Sequence, residues 1–182
     1  MNNKQLTKLS RHLSYVLRHV PESIGLELDK EGWANVDALL AGLVKDGQTI
    51  DRDILLKIVE TDDKGRYSLS ADQNRIRAVQ GHSTAEVALS FKEVTPADVL
   101  YHGTATKYLD SINAFGLLPM TRHHVHLSLN KDTAITVGER HGNVAVLQIA
   151  AHEMWERGYK FFEAENGVWL TEAVPAEFIT QL

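Results

Sequence analysis

Arginine recurs beside histidine or glycine in this chain, and four such strings stand out: Arg18 in "LRH", Arg66 in "GRY", Arg122 in "MTRHHVH" and Arg140 in "GERHG". A guanidinium fork matches phosphate oxygens two at a time. A neighbouring histidine can move a proton near neutral pH. Grouped cations repel one another, and a dianionic phosphate offsets that repulsion. The chemistry these residues favour is recognition and transfer at an anionic, phosphorylated substrate. Any one of these arginines alone reads equally well as solvated surface. Four in such settings shift the balance.

Other reaction classes find less support. There is no G-x-S-x-G elbow, no Gly-rich Walker loop and no cysteine, so thiol nucleophiles, disulfides and thiolate metal sites are excluded. His124 and His126 in "RHHVH" alternate as on one strand face and could begin a metal site. No third ligand follows at a useful spacing, and no metal is expected. The formal charge of −5 argues against a general nucleic-acid coat. Its distribution is uneven. The first twenty residues carry Lys4, Lys8, Arg11 and Arg18 without an acid, and Lys64, Arg66, Arg75 and Arg77 face only Asp72. Residues 150–182 carry six glutamates against Arg157 and Lys160. The N-terminal "MNNKQLTKLSRHLS" lacks the apolar run of a signal peptide, and no stretch reaches the length of a membrane span, so a cytoplasmic protein is expected.

These side chains need elements to hold them. Leu6, Leu9, Leu13, Val16, Leu17 and Val20 fall on one arc of a helix that Pro21 stops, which puts Arg18 and His19 in its last turn. "NVDALLAGL" and "TIDRDILLKIVETD" read as two further helices, the first capped by Asn35 or Asp37. "GRYSL", the turn "SADQN" and "RIRAV" read as a hairpin. Helices followed by a basic hairpin suggest a winged-helix lobe. After the polar connector "SFKEVTPADV", the pattern becomes short strands alternating with short helices. "VLYHGT" is read as a strand ending at Gly103, and "HVHLSL", "NVAVLQIA" and two segments around Pro175 as further strands. "TKYLDSINAFGL" and "DTAITVGERHG" are read as helices. The expected fold class is α+β, with lobes at 1–92 and 93–182.

With these strings in place, the chain resembles the bacterial RNA 2′-phosphotransferases, a family related to the tRNA-splicing 2′-phosphotransferase. "LSYVLRH", "GLELDKEGW", "KGRYSL", "IRAVQGHS", "YHGT", "GLLPMTRHHVHLS", "VGERHG" and "ENGVWLTEAVP" carry the resemblance, in order, across nearly the whole length. Tyr67 stands where the family usually has Phe. The resemblance implies an N-terminal winged-helix RNA lobe and a C-terminal ADP-ribosyltransferase-like NAD lobe. It implies RNA bearing a 2′-phosphate as substrate and NAD as co-substrate. The 2′-phosphate would attack the nicotinamide-bearing ribose carbon and form an ADP-ribosylated intermediate. The ribose 2″-hydroxyl would then attack phosphorus, giving RNA 2′-OH and ADP-ribose 1″,2″-cyclic phosphate.

By the same resemblance Arg18, His19, Arg66 and Arg122 are the catalytic residues. His102, Gly103, Thr104, Ser128, Gly138, Arg140 and His141 are the residues expected to bind NAD. Arg11 and His12 fall outside this set and are assigned a solvated or RNA-flanking role. "QGHS", residues 80–83, would line the RNA side or serve as a linker held by side-chain hydrogen bonds. Trp169 is read as core. A monomer is expected, with no membrane partner. One rival is a mono-ADP-ribosyltransferase acting on protein or on nucleic-acid 5′-phosphates, since Glu163 and Glu165 form an E-x-E pair. Another is a non-catalytic winged-helix regulator, which the acidic overall charge disfavours.

Overall fold

A computed structural model describes residues 2–182. The fold is mixed, with helices and small antiparallel sheets, as an α+β chain requires. The contacts divide it into two compact units, residues 1–90 and 91–182, where the sequence pattern placed a boundary at 92/93.

The N-terminal unit opens with α1 (Asn3–His19). Asn2 and Gln5 form a reciprocal capping box that satisfies the first free backbone N–H groups. Leu9, Leu13, Val16 and Leu17 are buried along one face. Val20 leaves the helical conformation at φ −143°, and a 3-10 turn begins at Pro21. α2 (Val36–Lys45) and α3 (Arg52–Glu60) are capped by Asn35 and Asp51, whose side-chain oxygens accept from Ala38 N–H at 2.9 Å and Ile54 N–H at 2.8 Å. Three short strands, β1 (Ala34–Asn35), β2 (Tyr67–Leu69) and β3 (Arg75–Ala78), form an antiparallel sheet in the order β1-β3-β2. Tyr67 pairs with Ala78 and Leu69 with Ile76, so the expected hairpin is present. Ala34, Ile76, Ala78 and Tyr67 turn inward to pack with Leu13, Leu17, Leu39, Leu43 and Leu55. Ahead of β1, Asp29 folds the "DKEG" segment into a tight turn by accepting from the N–H groups of Glu31 and Trp33.

The C-terminal unit holds two three-stranded antiparallel sheets. β4 (Leu100–Ala105), β6 (Val144–Ile149) and β9 (Ile179–Gln181) make the first, in the order β4-β6-β9. β5 (Val125–Leu127), β8 (Trp169–Thr171) and β7 (Phe161–Glu163) make the second, in the order β5-β8-β7. Tyr101 and Ser128 exchange backbone hydrogen bonds of 2.8 Å each way and join the two sheets. α4 (Leu109–Phe115), α5 (Lys131–Gly138) and α6 (Ala151–Glu156) complete the unit. Leu100, Leu147, Ile149, Met154, Phe161, Trp169 and Phe178 form its core, so Trp169 is a core residue.

Three expectations need correction. β4 does not end at Gly103; it continues through it to Ala105, paired with β6 along its whole length. α6 and β7 were not expected at all. The last strand starts at Ile179, because Ala176–Phe178 form a 3-10 turn after Pro175. Among the described residues, no helix is long and apolar enough to cross a membrane.

Candidate active site

The cations of the N-terminal unit are fixed from several directions. Arg18 and His19 occupy the last turn of α1, at the negative end of its dipole. Nε and Nη2 of Arg18 are buried. The His19 ring sits 5.6 Å from the Tyr15 ring, and its Nδ1 is 2.9 Å from Ser83 Oγ. Arg66 precedes β2 and is locked by Asp62, whose carboxylate accepts both from the Arg66 backbone N–H and from its guanidinium. The Asp62 side chain is only 2% exposed, so this charge-assisted pair is shielded from solvent. Tyr67 anchors the same segment to α1 by donating its hydroxyl proton to the Ser10 carbonyl at 2.6 Å. Burial pushes the Tyr67 phenol up from its ordinary value, partly offset by a second hydrogen bond, with the Ser10 hydroxyl at 3.2 Å, and by Arg66 and Arg18, while Asp62 adds to the rise. Arg18, Arg66 and Asp62 therefore all lie within electrostatic reach of one hydroxyl. This contact also gives Tyr67 a use for its hydroxyl that Phe would lack.

The second basic dipeptide behaves differently. Arg11 is exposed, and His12 Nε2 lies 2.9 Å from the Asp46 carboxylate, tying α1 to the end of α2. His12 is thus a tertiary tie rather than simply a solvated residue.

In the C-terminal unit two of the expected residues, His102 and Arg122, meet at His126. His102 Nδ1 is 2.9 Å from the His126 carbonyl. A carbonyl only accepts, so Nδ1 carries the proton. An Nη of Arg122 lies 3.1 Å from His126 Nδ1, and because arginine only donates, that nitrogen accepts. Burial pulls the His102 imidazole below its ordinary value; the His126 carbonyl opposes this, while the charges of His141 and Arg122 reinforce it. Burial likewise lowers Arg122. Arg122 is presented by a turn in which its N–H donates to the Pro119 carbonyl at 3.0 Å and Met120 takes a φ of 56°. His124 does not join this group. It packs edge-on against Phe91 and Phe162, and burial lowers its pKa first, with His123 adding to the shift and Glu172 opposing it. Among the described residues no cluster of three or more metal-ligating side chains is present.

A dinucleotide carrying a pyrophosphate needs donors and cations. His102 lies within the field of both His141 and Arg122, and Arg140 is exposed beside His141 on the turn that follows α5. This donor set fits such a ligand. The glycines also have a packing role. A Cβ at Gly103 would stand 1.6 Å from the Ala134 carbonyl, and one at Gly138 would stand 2.9 Å from the Thr104 carbonyl. α5 lies backbone-to-backbone on β4, and both glycines permit that approach. Thr104 is buried in the same strand, and Ser128 contributes its backbone to the bridge with Tyr101. Glu163 closes β7 and Glu165 follows in the β7–β8 turn, both exposed.

Sequence reasoning missed Asp62, Ser83 and His126 as partners of the expected residues. Asp62 had a signal, since its spacing from Arg66 is that of an i,i+4 pair. Ser83 and His126 are paired over 64 and 24 residues, which no local pattern reveals.

Comparison with known proteins adds an independent finding. The family described as RNA 2′-phosphotransferase, Tpt1/KptA family, matches residues 4–173. A protein of Pseudomonas aeruginosa named "Probable RNA 2'-phosphotransferase" is 55% identical over 181 residues, covering 100% of both chains. Proteins of the same name are 53% identical in Burkholderia lata, over 97% of this chain and 91% of the relative, and 52% identical in Escherichia coli, over 98% and 97%.

Proposed function

From the premise that this chain belongs to the RNA 2′-phosphotransferase, Tpt1/KptA family, we propose that it removes an internal 2′-phosphate from RNA with NAD⁺ as co-substrate. The observation that carries the reading is the cationic set of the N-terminal unit, Arg18, His19 and Arg66, each held by a backbone or side-chain partner. A phosphate monoester is largely dianionic near neutral pH, so positioning matters more than deprotonation. We read the N-terminal unit, three helices and a small antiparallel sheet, as the winged-helix RNA lobe. We read the C-terminal unit as the ADP-ribosyltransferase-like lobe.

The NAD⁺ co-substrate supplies a ribosyl carbon with nicotinamide as its leaving group. The RNA 2′-phosphate is the nucleophile at that carbon, and the product of this first step is RNA whose 2′-phosphate carries ADP-ribose. In the second step the ribose 2″-hydroxyl attacks phosphorus, and the bond to the RNA 2′-oxygen breaks. ADP-ribose 1″,2″-cyclic phosphate and RNA 2′-OH are released. Arg18, Arg66 and Arg122 stabilise charge on the phosphoryl oxygens as it develops. His19 accepts the proton of the attacking hydroxyl and returns one to the departing RNA oxygen. His102, Arg140 and His141 hold the dinucleotide, with Ser128, Thr104 and the close-packed Gly103 and Gly138 fixing the strand and helix that carry them. The site of action is the cytoplasm, and the working form is a monomer.

The test is direct. The protein is mixed with NAD⁺ and a short RNA bearing one internal 2′-phosphate, and nicotinamide and RNA mass are followed. Loss of the phosphate with one nicotinamide released per RNA is expected. An RNA that keeps its phosphate, with no ADP-ribosylated species, overturns the reading.

A further inference from the structure

The segment from Val79 to Ser83 touches the backbone or ring of Arg18, His19 and Arg66 alike. Val79 N–H donates to the Arg66 carbonyl at 3.0 Å. Ser83 N–H donates to the Arg18 carbonyl at 2.9 Å, and Ser83 Oγ lies 2.9 Å from His19 Nδ1. A single serine thus holds the main chain of one residue and the ring of the next. The residues between explain how it gets there. Gly81 turns the chain at φ 86°, a conformation that side chains with a Cβ rarely adopt. His82 is 3% exposed and packs over Gly32 together with Val87, which pins the strap to the body of the unit. Gln80 is buried on the other side of the turn.

We propose that Ser83 is a positioning residue for His19, accepting a hydrogen bond from Nδ1–H and so fixing both the ring orientation and the tautomer that leaves the lone pair on Nε2. The proposal rests on the reading above, in which His19 carries protons in the second step. A ring nitrogen is set as base or acid by the bond its partner nitrogen makes. With Nδ1–H committed to Ser83, Nε2 takes the proton of the attacking ribose 2″-hydroxyl as its oxygen bonds to phosphorus. When the bond from phosphorus to the RNA 2′-oxygen breaks, the same nitrogen returns a proton to that oxygen. The first step needs no proton transfer, because the phosphate is already ionised. Removal of Ser83 Oγ therefore acts on one step and not on the other.

The experiment uses the full chain with Ser83→Ala and Ser83→Thr, in single-turnover reactions with NAD⁺ and RNA bearing an internal 2′-phosphate. Ser83→Ala is expected to release nicotinamide at close to the parent rate and to slow the second step roughly 10- to 100-fold. ADP-ribosylated RNA then accumulates. Ser83→Thr, which keeps the oxygen, is expected to restore the second step. Nitrogen chemical shifts of the His19 ring in the protein without substrate give a readout independent of turnover: Nδ1–H in the parent, and a shift toward the other tautomer in Ser83→Ala. Equal rates for both steps in Ser83→Ala together with unchanged ring shifts overturn the proposal. So does an equal slowing of both steps in Ser83→Ala and Ser83→Thr with a matching fall in melting temperature, which marks a merely structural serine. A parent protein that releases no nicotinamide refutes the reaction instead, while the ring shifts still decide the clamp.

Discussion

Arg66 illustrates how a side chain gains function from its neighbour. Asp62 is almost fully covered and accepts from both the backbone and the guanidinium of Arg66. A free arginine samples many rotamers; this one presents its remaining donors in one direction. Asp62→Ala is expected to lower stability by about 2 kcal/mol, since a charge-assisted bond is lost, and to lower kcat more than it raises KM for RNA. An unchanged kcat would mean that Asp62 serves only the fold. At the C-terminal unit the imidazoles set a pH dependence. His102 and His124 both titrate below their ordinary range, chiefly through burial. The unfolded chain takes up protons at these residues as pH falls through about 6.5, while the folded chain resists. Their contribution to stability is therefore full above that value and is lost as pH drops toward the folded values. Urea denaturation at pH 7.5 and at 5.5 should show the fall, and His102→Gln with His124→Gln should flatten it. A slope that survives both substitutions would place the titrating groups elsewhere.

At the scale of elements, legibility followed locality. α1 was readable because its apolar stripe recurs over four turns and Pro21 marks its end; α2, α3 and the β2–β3 hairpin carried their caps and turn residues in the sequence. α6 has six residues and β7 three, too few for a period to emerge, and β7 exists because it pairs with β8. Gly103 was read as the place where a strand stops for a ligand. In the structure a helix also comes close there, at Ala134, 31 residues further along the chain. The two explanations make opposite predictions. Gly103→Ala forces a Cβ into backbone rather than into a movable side chain, so a loss of about 3 kcal/mol is expected, at the upper end for overpacking. The fall in melting temperature should appear in protein without NAD⁺. Normal stability combined with lost NAD⁺ affinity would favour the cofactor explanation instead.

At the scale of the whole molecule, the puzzle is an acidic chain that must hold a polyanion. Net charge was legible at once and is a poor guide, because many of the arginines are already answered by acids. Arg52 pairs with Asp37 at 2.8 Å, Arg77 approaches Glu31 at 3.7 Å, and Arg157 lies between Glu153 and Glu177 while covering the Phe178 ring. What the sequence could not show is which arginines were spoken for, since most of these partners are remote along the chain. RNA attraction should therefore come from a few sites, and salt dependence measures how many. For single-stranded RNA the logarithm of affinity falls with the logarithm of salt by roughly 0.7 for each phosphate neutralised. Binding is measured without NAD⁺, so that no turnover intervenes, using 2′-phosphorylated RNA over a range of potassium chloride. Arg18→Gln and Arg122→Gln should each reduce the slope by roughly that amount, whereas Arg157→Gln, flanked by Glu153 and Glu177, should leave it unchanged; Arg66, paired with Asp62, should change it less than Arg18 or Arg122. If Arg157→Gln reduces the slope as much as Arg18→Gln and Arg122→Gln, RNA is held by diffuse surface charge, and the assignment of the phosphate to those residues fails.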